Sequence, residues 1–313
     1  MTNSPNQQIV SVCVLTVALA WTALVEPSSA AGLRQLTTAP GIDGGPCWSP
    51  DGTRIVFDSE RVGSVGFDLW ILPATGGTAE RLTSELSNEY GASWSPDGKT
   101  IAYYWSRDGK IHLTPADGGA GTVFTPGNRG EQDPAWSPDG KQIAFASTGP
   151  VVVGSVERDI WVREVSSGLE RRLTTHPASD EHPTWSPDAA TVAFVSERGG
   201  RAQLWTVPTS GGQPVRLSEL DALQPAWSPD GDRIAFVSDG DLYVISLRGG
   251  AAVRVTSGAE LDYAPAWSPS SDEIVFMRRD GDEADLWIVD VMPVAVRGST
   301  WSEMKQRLDG RRR

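Results

Sequence analysis

"PAWSPDGKQIAF" (residues 134–145) returns along the chain as "PCWSPDGTRIVF" (46–57), "ASWSPDGKTIAY" (92–103), "PTWSPDAATVAF" (183–194), "PAWSPDGDRIAF" (225–236) and "PAWSPSSDEIVF" (265–276). The six copies are anchored at Trp48, Trp94, Trp136, Trp185, Trp227 and Trp267, spaced 46, 42, 49, 42 and 40 residues apart. A period near forty points to a propeller, solenoid or array. Within the word, Pro sets φ at the first corner of a turn, Asp bonds back to the backbone and Gly accepts positive φ. Ser-Pro-Asp-Gly is therefore a hairpin between two strands. Ala189 and Ser271 stand where the other copies have the turn Gly, so those two hairpins either carry a strained φ or adopt another turn.

Working outward from the word, each repeat holds four strand-like runs. In the fourth they are "HPTWS" (182–186), "TVAFVS" (191–196), "AQLWTVP" (202–208) and "VRLSE" (215–219). The second run alternates Ile or Val with an aromatic, as in Ile143/Phe145, and sets a small apolar residue such as Ala144 between them. Both faces are apolar, as expected of a sheet sandwiched between two neighbours. Trp70, His112, Trp161, Trp205, Tyr243 and Trp287 mark the third run, and twelve residues later Leu82, Phe124, Leu173, Leu217 and Val255 mark the fourth. The sixth repeat lacks that last run, while "LRQLTT" (33–38) supplies one ahead of the first Trp. The expectation is an all-β, six-bladed β-propeller with four-stranded antiparallel blades, closed by the N-terminal strand, which leaves no long open edge.

Residues 9–25, "IVSVCVLTVALAWTALV", are uncharged and apolar, and small residues follow near Ala30 and Ala31. This is the pattern of a secretory signal peptide over residues 1–31. No Lys or Arg precedes it, so an uncleaved N-terminal membrane anchor is the competing expectation, and would be the only membrane contact. Either way the propeller, residues 32–291, is expected to be exported, to the periplasm or the extracellular space. A short basic tail, 292–313, follows. The propeller segment carries 21 Lys and Arg against 37 Asp and Glu, net −16. That charge argues against nucleic acid as a partner and favours basic groups or cations. Cys13 lies in the leader, which leaves Cys47 with no partner for a bridge and reads as a small packing residue.

With "DIWVREVSSGLERRLT" (159–174) following "PAWSPDGKQIAF", the chain resembles the TolB-type β-propellers, the Pro-Asp cousins of WD repeats, over residues 32–291 and in all six blades. The resemblance implies a closed six-bladed ring and a function of binding a protein at one mouth of the channel, as TolB binds a peptidoglycan-associated lipoprotein. The leader runs almost directly into the closing strand, so the α/β domain that precedes the propeller in TolB is not expected. Related propellers accompany α/β-hydrolase domains in prolyl peptidases, yet no Gly-x-Ser-x-Gly elbow occurs in this chain. Pectin-fragment lyases of similar build hold a metal with several histidines. Here His112, His176 and His182 are the whole complement, and His112 falls at a packing position.

Five residues before each repeat Trp stand Asp43, Glu89, Glu131, Asp180, Ala222 and Asp262, with Asp221 beside the exception. Six-fold repetition would set these acids around one channel mouth, where they would attract a cation or a basic peptide. Capping of their own loops is the alternative reading. Three before Trp, Asp133 and His182 replace the Gly45, Gly91, Gln224 and Ala264 of other blades, a variation that suits specificity. No catalytic residue is assigned and no cofactor is required, a calcium ion in the channel being the one candidate. The expected function is a non-enzymatic, monomeric binding propeller with a protein or peptide partner. The alternatives are a metal-assisted lyase, lactonase or glycosidase using mouth carboxylates, and a structural subunit of an envelope complex.

Overall fold

The computed structural model describes residues 32–61, 66–127, 130–149 and 157–291; the expected leader (1–31, with Cys13) and the basic tail (292–313) lie outside the described residues. Six four-stranded antiparallel sheets follow one another along the chain. Their inner strands are Asp43–Trp48, Glu89–Trp94, Gln132–Trp136, Asp180–Trp185, Leu223–Trp227 and Leu261–Trp267, and each neighbours the next around a ring. The first five blades continue through a second, third and outer strand in sequence order. The sixth uses Glu273–Asp280 and Glu283–Asp290 and then takes Arg34–Gln35 as its outer strand. Arg34 pairs with Ile288 and Gln35 with Trp287, and the Leu36 amide donates to the Leu286 carbonyl at 2.7 Å. The ring is thus closed by the N-terminal strand, as its spacing predicts.

Sandwiching explains the two apolar faces of each second strand. Ile55 and Phe57 pack with Val275, Leu286 and Ile288 of blade six, while Val56 between them packs with Ala92 and Trp94 of blade two. The same division recurs at the other four seams, so the core is six apolar seams rather than one central mass. Phe57, Phe145, Phe194, Phe236 and Phe276 are fully buried there. Cys47 is half-buried against the seam of blades one and two, and burial pushes its thiol up to about 11.

The repeated word builds a hydrogen-bonded turn. In blade three the Ser137 hydroxyl donates to Asp139 Oδ1 (2.7 Å) and accepts from the Gln142 amide (2.9 Å), and Asp139 Oδ1 accepts from the Lys141 amide (3.1 Å). Blades one, two, four and five repeat it. In blade six Ser270 takes the aspartate's place, and Asp272 accepts the Ser268 hydroxyl (3.3 Å) instead. The two departures from Gly keep the same turn at a strained φ: Ala189 at 57° and Ser271 at 64°. Ser271 is compensated, since its hydroxyl accepts from the Asp230 amide (3.0 Å) and its carbonyl from Arg233. Ala189 has only partial packing in return. Ala189→Gly is therefore expected to raise stability by about 0.5 kcal/mol, read as a higher urea midpoint; a lowered midpoint would show that the methyl contact outweighs the strain.

Candidate functional site

The two faces of the ring are built differently. On one, the Ser-Pro-Asp-Gly turns meet the ends of the third strands, as in Ala74 N to Thr53 O (2.9 Å) and Val291 N to Asp272 O (2.7 Å). On the other, the loops leading into the inner strands meet the loops between second and third strands, as in Glu60 N to Ile42 O (3.2 Å) and Ser106 N to Asn88 O (2.9 Å). The second face carries the residues singled out in the sequence.

Every inner strand on that face has a one-residue bulge: in blade one Gly44 pairs with Asp58 but Cys47 with Val56. The same shift occurs in the other five blades. The residue three before Trp sits in the bulge and is left-handed in all six: Gly45 (φ 50°), Gly91 (63°), Asp133 (54°), His182 (54°), Gln224 (48°) and Ala264 (49°). Glycine is the relaxed choice there, and each other residue costs about 1 kcal/mol. Four blades accept that cost. Three side chains stitch the ring by accepting the bulge amide of the next blade: Asp58 from Gly91 (3.5 Å), Asp133 from His182 (3.3 Å) and Gln224 from Ala264 (2.9 Å). His182 Nε2 also stands 3.8 Å from Asp133 Oδ2, and both side chains are about a third exposed.

Beyond the bulge the side chains alternate, so the acids five before Trp point into the seams rather than into the channel. Asp43, Glu89, Glu131, Asp180 and Asp262 are all at most 1 % exposed, which corrects the expectation of an open carboxylate ring. Asp221 alone is exposed, paired with Arg201 at 3.2 Å. Two devices give the buried five a partner each, though among the described residues one oxygen of Glu89 and one of Asp180 stay without a hydrogen bond. Asp43 and Asp180 each meet an arginine just beyond the second strand, Arg61 (2.7 Å) and Arg198 (2.6 Å), and Asp262 meets Arg278 (2.7 Å), which lies within it. Each of these guanidinium groups lies over a Phe and a Trp ring, Arg278 for example over Phe276 and Trp287. Glu89 and Glu131 instead reach back to the threonine just after the outer strand of the preceding blade, Thr83 and Thr125 (3.0 Å for the latter). In blade two the arginine at the matching place, Arg107, lies over Trp105 (5.6 Å). Burial pushes Glu89 up to about 7, with Asp68 and Glu85 adding to the shift. Substitution of these five acids would test stability before it tested binding.

The same face holds a cleft of about 360 Å³ between blades two and three, lined by Tyr90, Gly91, Tyr104, Ser106, Gln132 and Asp133. A second hollow of about 570 Å³, lined by Ser106, Arg107, Asp108, Gly109, Lys110 and Gly130, adjoins it at Ser106. The tyrosines were not singled out by the sequence reading. Their signal was present as a departure from the repeat: Tyr104 stands where the other second strands carry Asp58, Ala146, Val195, Val237 and Met277. Among the described residues no group of three or more His, Cys, Asp and Glu side chains is placed to hold a metal. His112 is buried at its packing position between Tyr103 and Trp105 and bonded to Asp108 (3.0 Å), and His176 Nδ1 accepts the Ala178 amide (3.0 Å).

Comparison with known proteins places this geometry. The family model described as TolB beta propeller domain matches residues 24–150 and 129–291. Among solved structures, one presented as a TolB from Agrobacterium tumefaciens superposes with a TM-score of 0.65 at 25 % identity, covering 83 % of this chain and 94 % of that one. TolB from Acinetobacter baumannii gives 0.61 at 22 % identity, covering 82 % of this chain and 65 % of that one. An oligogalacturonate lyase from Vibrio parahaemolyticus gives 0.61 at 14 % identity over 85 % of this chain and 95 % of that one, a likeness of fold alone. No curated protein matches the sequence.

Proposed function

The chain belongs to the TolB β-propeller domain family, and from that premise we propose that it is an exported, non-enzymatic propeller that binds a segment of another protein at the mouth carrying the bulge ring. The observation that carries the reading is the bulge position itself. Glycine would relax it in every blade, yet Asp133, His182 and Gln224 hold three different polar side chains there at left-handed φ. Strain kept at this position in blades three, four and five, with a different polar side chain in each, is the pattern of a recognition surface on a rigid scaffold. The net charge of −13 favours a partner segment with basic groups. The apolar run at residues 9–25 supports export.

The test uses the full propeller and a triple variant, Asp133→Gly, His182→Gly, Gln224→Gly. Relief of backbone strain roughly offsets the two lost stitching bonds, so the melt should stay within about 1 kcal/mol of the parent. Proteins captured from an envelope extract and identified by mass spectrometry should be lost from the variant by at least about tenfold. Equal capture of the same protein by both would end the proposal.

A further inference from the structure

The tyrosine cleft between blades two and three supports a more specific statement, which rests on the binding role just proposed. In blade two the residues flanking the bulge bring two phenol rings together: Tyr90 of the inner strand pairs directly with Tyr104 of the second. At the same place the other blades pair Gly44 with Asp58, Gln132 with Ala146, Glu181 with Val195, Leu223 with Val237 and Tyr263 with Met277. Only blade two, among the described blades, sets two tyrosines opposite each other. The Tyr90 ring is backed by Phe67, at 5.1 Å between centroids with a 44° tilt. Gly91, without a side chain, keeps the floor low.

Two carboxyl groups flank these rings, while Arg107 and Lys110 lie in the adjoining hollow beyond Ser106. Asp133 lines the far wall, its carboxylate fixed by the left-handed backbone and by the His182 amide. Asp58 lies on the near side, bonded to the Gly91 amide at 3.5 Å. The Tyr90 phenol is pushed up chiefly by burial, with Asp58, Glu60 and Tyr104 adding to the shift. Gln132 and Ser106 add neutral hydrogen-bonding groups at the rim. Two electron-rich ring faces with a carboxylate at the end form a site for an organic cation, attracted by the rings and oriented by the acid.

We infer that this cleft is a specificity pocket for a lysine or arginine side chain of the bound segment, its alkyl stem against Tyr90 and Tyr104 and its charged head on Asp133. A volume of about 360 Å³ admits one such side chain and leaves room for water at the rim. An acidic side chain is excluded by Asp133. An apolar one would add no partner to the Asp133 carboxylate beyond the His182 amide and imidazole.

The experiment titrates the protein, with ¹³C-labelled tyrosine rings, with the capped tripeptides Ac-Ala-Lys-Ala-NH2, Ac-Ala-Arg-Ala-NH2 and Ac-Ala-Nle-Ala-NH2, Nle being the uncharged analogue of lysine. The Tyr90 and Tyr104 resonances, assigned through Tyr→Phe variants, should shift saturably with the two basic peptides, and the neutral one should bind at least about tenfold more weakly. Asp133→Asn, which tolerates the left-handed φ, and Tyr104→Leu should each weaken the basic peptides by about tenfold. Equal response to the neutral peptide, no saturable shift, or insensitivity to Asp133→Asn overturns the pocket. The outcome is separable from the broader proposal. If partner capture depends on the bulge ring while basic tripeptides leave the tyrosine signals unmoved, the mouth binds and this pocket is wrong. If capture survives the triple glycine variant, the broader proposal has failed.

Discussion

Leu36→Asp is expected to lower the unfolding free energy by about 4 kcal/mol or more, although the residue lies in a segment with only two residues in the ladder. Leu36 is 8 % exposed and packs with Ile55, Phe57, Leu72 and Leu286, which makes it part of the seam between blades six and one. Removing its side chain from that seam forfeits about 2 kcal/mol of apolar burial, and a carboxylate in its place adds a desolvation cost of similar size. The strand is also tied by Thr37, whose hydroxyl accepts the Leu286 amide (2.9 Å) and donates to Asp285 (3.1 Å). Without it the sixth blade would present the open edge of Glu283–Asp290. The measurement is the urea midpoint together with proteolysis of residues 32–38. A loss under about 1 kcal/mol would show that the ring does not depend on this strand for closure.

The second large effect is a fall in stability as pH rises from 5 to 8. Burial pushes two carboxylates up to about 7: Asp58, with Asp43 adding to the shift, and Glu89, with Asp68 and Glu85 adding. Burial also raises Asp159, Asp241, Asp285 and Glu273. A carboxyl whose folded pKa lies above its unfolded value binds its proton more tightly in the native state. Its stabilisation is complete below the unfolded pKa, near 4, and is lost as pH rises through the folded value near 7. For Asp58 and Glu89 the loss is about 2 kcal/mol each after allowance for solvent screening. Together these lower the melting temperature by roughly 10 °C between pH 5 and pH 8. The turn acids do not offset this, because Asp51, held near 2 by hydrogen bonds from Ser49 and Thr53, is ionised throughout that range. Asp58→Asn with Glu89→Gln should flatten the profile. A melting temperature that rises with pH in the parent, or an unchanged slope in the double variant, would remove the assignment.

Much of the architecture was legible along the chain because its determinants are local. Ser-Pro-Asp-Gly makes its turn from hydrogen bonds within six residues, Ser137 to Gln142 being one case. The doubled apolar pattern at Ile143, Ala144 and Phe145 announces a sheet with neighbours on both sides. The site was less legible. Asp43, Glu89, Glu131, Asp180 and Asp262 were visible as a repeated acid, but their direction was not. The cause is the bulge, which no shared residue type announces: Gly, Asp, His, Gln and Ala all occupy it. The arginines that answer the acids were likewise present in sequence, at Arg61, Arg198 and Arg278, without a sign that they fold back over Phe and Trp.

The sequence by itself determined the number of blades, the closing strand and the hairpin turns, since each depends on spacing and on backbone chemistry within a few residues. Tertiary structure alone decided which side chains reach the mouth. Side chains alternate along a strand, so one inserted residue reverses everything beyond it, sending five acids into the seams and leaving Asp133 and His182 at the ring. The same register across two strands sets Tyr90 against Tyr104, and the next blade brings Asp133 to them.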